Sequence, residues 1–72
     1  MGPIQLNDVL ARRRHIDGLY EIRQRTHKGD VFLEGPYTRV TTETRLRALA
    51  HEFGADSWIE QTDGRYRFLE PD

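Results

Sequence analysis

The C-terminal end of the chain decides the fold, because residues 58–70 read WIEQTDGRYRFLE. Asp63-Gly64 is typical of a two-residue type I′ turn, flanked here by Thr62 and Arg65. The turn predicts an antiparallel hairpin. Its expected register is Trp58 opposite Leu69, Ile59 opposite Phe68, Glu60 opposite Arg67 and Gln61 opposite Tyr66.

The two faces of this hairpin differ in chemistry, since successive side chains of a strand point to opposite faces. Trp58 shares one face with two arginines, Arg65 and Arg67, and with Leu69. The other face is apolar and suits a core. Its members are Ile59, Tyr66 and Phe68. The pattern therefore predicts that the tryptophan and the arginines lie on an outer face. That face is either a contact surface or a structural one, in which Trp58 and Leu69 pack against the N-terminal segment and Glu60 pairs with Arg67.

A helix is predicted over TTETRLRALAHEF, residues 41–53. Its apolar residues follow the i, i+3, i+4, i+7 spacing of one helix face, and they are Leu46, Leu49, Ala50 and Phe53. Thr41 or Thr42 is expected to cap the start, and Gly54 ends the helix.

A second helix is predicted over LNDVLARRR, residues 6–14, because Leu6, Val9 and Leu10 recur at i, i+3 and i+4. Asn7 or Asp8 is its expected cap. Three arginines follow at the predicted C-terminus, where positive charge suits the helix dipole.

LYEIRQR and DVFLE, residues 19–25 and 30–34, predict another antiparallel hairpin across the turn THKG. Pairing Arg25 with Asp30 would set Arg23 opposite Phe32. The same register sets Ile22 against Leu33 and Glu21 against Glu34, and the second of these contacts is unfavourable.

These elements predict one α+β domain over residues 1–72, in the order α-β-β-α-β-β, with an antiparallel sheet and the helices packed on one face. The expected core face holds Tyr20, Ile22, Val31, Leu33, Ile59 and Phe68, with Tyr66 at the rim. The expected reverse face holds Leu19, Arg23, Arg25, Phe32, Trp58, Arg65, Arg67 and Leu69. The 72 residues are 36% hydrophobic and include no cysteine, so the domain depends on one thin core without disulfides or on a partner, such as a second copy of itself.

The sequence argues against an enzyme. HEFGA, residues 51–55, begins like the zinc-protease helix motif, but Ala55 stands where the second histidine is required. The histidines are widely separated, and Ser57 is the only serine. We therefore expect no catalytic residue, no metal and no cofactor.

Residues 31–59 have a strand, Gly-Pro-Tyr, a helix, a glycine and a strand in the order seen in one half of a SPOR domain, the bacterial peptidoglycan-binding module. The rest of the chain does not supply the other half, and no signal or membrane anchor is evident. This partial resemblance therefore does not assign the chain to that family.

The net charge of −1 carries neither the basic excess of a general nucleic-acid binder nor the acidic excess of a DNA mimic. Ten of the 11 basic residues are arginine, which suits bidentate recognition and stacking. The predicted binding surface combines these arginines with aromatic side chains, the residues that are enriched at hot spots. It comprises Trp58, Arg65, Arg67, Phe32 and Arg23, with Arg12, Arg13 and Arg14 as an extension.

Three functional hypotheses follow. The first is a non-catalytic binding protein of a bacterium or its phage that docks on a larger protein or nucleoprotein assembly as an inhibitor or modulator. In size and style it is similar to the small inhibitors of phages and mobile elements, anti-CRISPR proteins among them. The second is a small nucleic-acid-binding regulator that uses the same face, and the third is a homodimer formed through it. With no secretion signal or membrane span in the sequence, we expect a cytoplasmic protein.

Overall fold

The computed structural model describes residues 5–61 and 64–70. They contain five strands and one helix, joined by turns and loops. Their bounds are β1 Val9–Arg13, β2 Tyr20–Thr26, β3 Gly29–Tyr37, α1 Arg39–Phe53, β4 Ser57–Glu60 and β5 Tyr66–Phe68. The α+β prediction is confirmed, although the predicted order of elements is wrong at its first position.

All five strands join one sheet in the order β3-β2-β1-β4-β5. Strands β1 and β4 run parallel, with Leu10 beside Trp58, and every other neighbouring pair is antiparallel. The sheet is therefore mixed, and the prediction of a purely antiparallel sheet was wrong. The chain makes the parallel pair by running through the β2–β3 hairpin and α1 before it returns beside β1.

The predicted N-terminal helix is strand β1 instead. Val9, Leu10 and Ala11 are all completely buried, which a helix with one apolar stripe would not allow. They occupy the centre of the sheet, where both faces are covered, and such strands read as continuous apolar runs. Spacing alone does not separate a short run of this kind from a helix.

The β2–β3 hairpin is confirmed, including the pairs Arg25–Asp30 and Arg23–Phe32. Beyond Phe32 the predicted register was wrong, because β3 carries an extra residue and Ile22 lies opposite Glu34. This bulge removes the unfavourable contact that an unbroken register would create between Glu21 and Glu34.

The main helix is confirmed, but it begins earlier than predicted, and the predicted cap at Thr41 or Thr42 was wrong because both residues lie inside the helix. Its N-cap is Thr38, whose hydroxyl accepts a hydrogen bond from the backbone N–H of Thr41 at 3.4 Å. Gly54 ends it in the left-handed conformation, with φ of 62°. The helix and the sheet face beneath it form the main core, which contains Val9, Ala11, Ile22, Leu46, Leu49, Ala50 and Ile59.

An ion pair ties α1 to β3. Arg45 donates through Nη2 to Oε2 of Glu34 at 3.1 Å and through Nε to Oε1. These hydrogen bonds hold the pKa of Glu34 below its ordinary value of 4.5.

Replacing Glu34 should remove a pH-dependent part of the stability. Because the pKa is depressed in the folded state, this stabilisation is complete above about pH 4.5 and is lost as the pH falls through the folded-state pKa. The difference in unfolding free energy between wild type and Glu34→Gln should be constant from pH 6 to 8 and shrink below about pH 4.5. Urea titrations at several pH values measure it. Glu52→Gln, at an exposed position of α1, is the control, and a difference between wild type and Glu34→Gln that does not change with pH would contradict the assignment.

Gly35 lies in β3 at a backbone angle that side chains rarely adopt. Its φ is 120°, and an added Cβ would meet the carbonyl oxygen of Tyr20 at 2.9 Å. Gly29 also has a positive φ, of 106°, but an added Cβ there meets nothing within 4 Å.

Gly35→Ala should therefore destabilise the domain more than Gly29→Ala does. Backbone strain of about 1–3 kcal/mol applies to both variants, and the contact with the Tyr20 carbonyl adds about 1–3 kcal/mol to the first alone. Urea unfolding followed by circular dichroism gives both values. Equal losses in the two variants would show that the contact carries no cost.

Candidate functional site

A row of side chains crosses all five strands on the sheet face that α1 does not cover. Each member lies directly opposite the next in the strand register. From one edge of the sheet to the other, the row is Phe32, Arg23, Leu10, Trp58 and Phe68. The structure thus brings together three predicted site residues, Phe32, Arg23 and Trp58, on a face without a helix. We call this surface the helix-free face.

Trp58 belongs to this face but is not exposed, so that part of the prediction was wrong. Only 2% of its surface is accessible, and it forms a second small core with Leu10. The ring of Tyr66 meets the indole edge-on at 5.8 Å, and the ring of Phe68 also packs against it. The indole N–H donates to the carboxylate of Asp8 at 3.3 Å. Trp58 therefore holds the face together from within.

The register of the C-terminal hairpin differs from the prediction by one residue. Trp58 lies opposite Phe68, and Ile59 lies opposite Arg67. A slip of one residue exchanges the faces of a strand. Tyr66 and Phe68 consequently join Trp58, whereas Arg67 and Leu69 lie on the helix side. The predicted turn includes Thr62 and Asp63, which lie outside the described residues.

The arginines of the helix-free face are paired with carboxylates. Arg12 bridges two strands, donating to Glu60 on β4 at 2.9 Å and to Asp30 on β3 at 3.2 Å. The hydrogen bond to Glu60 raises the pKa of Arg12 further above its usual range. Asp30 also binds Arg25 at 2.6 Å. The charges on this face therefore neutralise one another.

Two further predicted site arginines, Arg23 and Arg14, also form ion pairs with carboxylates. Arg23 binds the carboxylate of Glu21 at 3.1 Å and donates to the backbone carbonyl of Asp30 at 3.0 Å. Arg14 pairs with Asp17 at 3.4 Å and with Glu21 at 3.9 Å.

The remaining predicted arginines, Arg13, Arg65 and Arg67, are exposed. Arg13 is the last residue of β1, and its side chain points to the sheet face opposite that of Arg12. Arg65 precedes β5, and its backbone carbonyl accepts the N–H of Gln61. Arg67 is exposed on the helix side of β5. The predicted site is thus divided between two faces of the sheet.

Exposed apolar surface on the helix-free face lies at the two ends of the row. Phe32 on β3 is 52% exposed, and Phe68 on β5 is 36% exposed. Between them lie paired charges above a buried tryptophan. Such a surface suits contact with another macromolecule, because two aromatic anchors flank a polar, neutral centre.

Sequence reasoning missed Asp8 and Leu10 as members of this site. The available signal was the uninterrupted run Val9-Leu10-Ala11 directly after an aspartate, which is typical of a central buried strand. Nothing local identifies Asp8, because its role depends on donors from β4, which lies about fifty residues later.

Comparison of the chain with protein-family models, curated proteins and solved structures finds no significant match. Within residues 5–61 and 64–70, no group of three or more histidine, aspartate or glutamate side chains is placed to hold a metal ion. No helix in the described part of the chain has the length and apolarity needed to cross a membrane.

Asp8→Ala should strongly destabilise the protein. The buried carboxylate accepts hydrogen bonds from the backbone N–H groups of Gln5 and Asp56 and from the indole of Trp58. Leaving these donors without an acceptor should cost about 2–4 kcal/mol. Urea unfolding followed by Trp58 fluorescence measures the loss.

The matched control is Asp56→Ala, which removes an exposed carboxylate from the neighbouring segment and leaves the Asp56 backbone N–H in place. It should change the stability by less than about 0.5 kcal/mol. Similar effects in the two variants would show that the Asp8 carboxylate has no special role.

Proposed function

We propose that this protein is a small, non-catalytic cytoplasmic module that docks on a larger protein through its helix-free face and modulates that partner as an inhibitor. One observation carries the proposal. The row across the sheet exposes Phe32 and Phe68 at its ends, and no described helix covers the face between them. Exposed aromatic side chains around a neutral polar surface favour a protein partner.

The charge pairing supports a protein over a nucleic acid. Phosphate contacts supply most of the affinity of nucleic-acid binders, and they require arginines that are available to phosphate. Arg12 and Arg25 instead bind carboxylates on the same face, as does Arg23. A nucleic-acid ligand would have to compete with Glu60, Asp30 and Glu21 for them.

Adjacent residues of β3 offer a matched pair of test sites. Phe32 faces the helix-free side and is 52% exposed, whereas Val31 faces the opposite side and is 41% exposed. A photo-crosslinking phenylalanine analogue placed at position 32 in a bacterial lysate would identify a candidate partner, which is then purified.

Calorimetric titration of the purified partner tests the proposal. Phe32→Ala should weaken binding about 10- to 100-fold, as truncation of an aromatic hot spot does, whereas Val31→Ala should stay within about twofold. Equal binding by both variants would overturn the proposal. So would crosslinking of position 32 only to nucleic acid, with binding that falls steeply as salt rises. Crosslinking only to a second copy would establish the homodimer instead.

A further inference from the structure

The outer edge of β5 presents backbone groups that no other described strand pairs with. The carbonyl of Arg65 accepts the N–H of Gln61 at 2.7 Å, and the carbonyl of Ser57 accepts the N–H of Leu69 at 3.0 Å. In an antiparallel pair the inward-bonding residues alternate with outward-pointing ones. The N–H and C=O groups of Tyr66 and Phe68 therefore point away from β4. Because β5 is the last strand in the sheet order, no described strand pairs with them.

The opposite edge of the sheet is protected. β3 carries a bulge, and Pro36 has no backbone N–H to donate to a neighbouring strand. The carbonyl of Asp30 already accepts a hydrogen bond from Arg23. Beyond the end of β5, the backbone carbonyl of Glu70 accepts a hydrogen bond from Nε of Arg47 at 2.9 Å, so the edge offered for pairing is limited to the short strand itself.

A cleft runs beside the β5 edge on the helix side. The helix α1 contacts every strand except β5, and the space left beneath its C-terminal half has a volume of about 650 Å³. This volume lies in the range of ligand-binding clefts, about 300–1,000 Å³. Apolar walls come from Ala48, Ala50 and Leu69, and charged or polar groups from Arg47, His51 and Asp56.

The β5 edge and the cleft together have the geometry of a site for strand addition, in which backbone hydrogen bonds bind an extended peptide and pockets select alternate side chains. We propose that an extended, acidic segment of a protein partner adds to the β5 edge as a sixth strand. Its alternate residues face the cleft on one side and Tyr66 and Phe68 on the other.

The charges around the cleft specify the peptide. Arg67 is exposed on the helix side of β5, whereas Arg47, which lines the cleft, already pairs with Glu43 at 3.6 Å and donates to the backbone carbonyl of Glu70 at 2.9 Å. The peptide residue beside Arg67 is therefore acidic. The residue beside Leu69, two positions away on the same face, is aliphatic. Residues facing Tyr66 and Phe68 are β-branched, because such side chains pack well against aromatic neighbours in sheets.

The probe is an acetylated, amidated peptide with the central sequence Leu-Val-Glu-Val-Leu, which reads the same for parallel and antiparallel addition. Titration into the ¹⁵N-labelled full chain should give saturable amide shifts at Tyr66, Phe68 and Ala48, with a Kd below about 1 mM. The same peptide with lysine in place of glutamate should bind at least about tenfold more weakly. N-methylation of Val, Glu and Val removes the backbone donors and should abolish saturation.

The test on the protein side is Ala48→Glu, which places a negative charge in the cleft at an exposed helix position. It should weaken binding of the acidic peptide at least about tenfold. Val40→Glu, at a 78% exposed position of the same helix outside the cleft lining, is the matched control and should stay within about twofold. Circular dichroism checks that both variants fold. If Ala48→Glu does not fold, the N-methylated peptide still tests the proposal on the wild-type protein.

Three results would overturn the proposal. They are no saturable shift at Tyr66 and Phe68 with 2 mM peptide, equal binding of the N-methylated peptide, and shifts at these amides that depend on protein concentration alone, which would make a second copy the occupant. None of these results bears on Phe32. The proposed docking of the helix-free face is therefore tested separately from this groove.

Discussion

The buried carboxylate of Asp8 is the interaction on which the centre of the sheet depends. It accepts hydrogen bonds from the backbone N–H groups of Gln5 and Asp56, which precede β1 and β4, and from the indole of Trp58. The backbone carbonyl of the same residue accepts the N–H of Arg25 on β2 at 2.9 Å. One residue thus joins three strands. The parallel β1–β4 pair lacks a hairpin to set its register, and Asp8 supplies a fixed point at its start.

Both faces of the sheet follow from this central pair. On one side, Val9 and Ala11 pack beneath α1. On the other, Leu10 and Trp58 form a small core that no helix covers. Burial of this second core depends instead on aromatic neighbours from β5 and on the Arg12 bridge between β3 and β4. The arginines of that face therefore help to build it, and the large apolar side chains exposed on it are the phenylalanines at the ends of the row.

The sheet edges are just as unequal. The long edge strand β3 contains a bulge, and Arg23 occupies the backbone carbonyl of Asp30. Both features disfavour the addition of another strand at this edge. The short edge strand β5 has backbone N–H and C=O groups that point away from β4, and a cleft lies beside it. The cleft exists because α1 packs on β1 to β4 but does not contact β5. The proposed strand addition at β5 and the proposed contact through the helix-free face both involve Phe68, whereas Phe32 belongs to the second alone.

The sequence by itself determined the elements whose signals are local: the helix ending at Gly54, the β2–β3 hairpin, and the C-terminal hairpin apart from its register. It also determined that Phe32 and Arg23 share a face with Trp58. Tertiary structure decided what β1 becomes, because a three-residue apolar run fits a helix stripe or a central strand equally well until β4 lies beside it. It also decided the one-residue register of β5, which buries Trp58, exposes Phe68 and moves Arg67 to the helix side. The first depends on a partner strand about fifty residues later in the chain, which no local pattern encodes, and the second on the packing of the Tyr66 and Phe68 rings against Trp58.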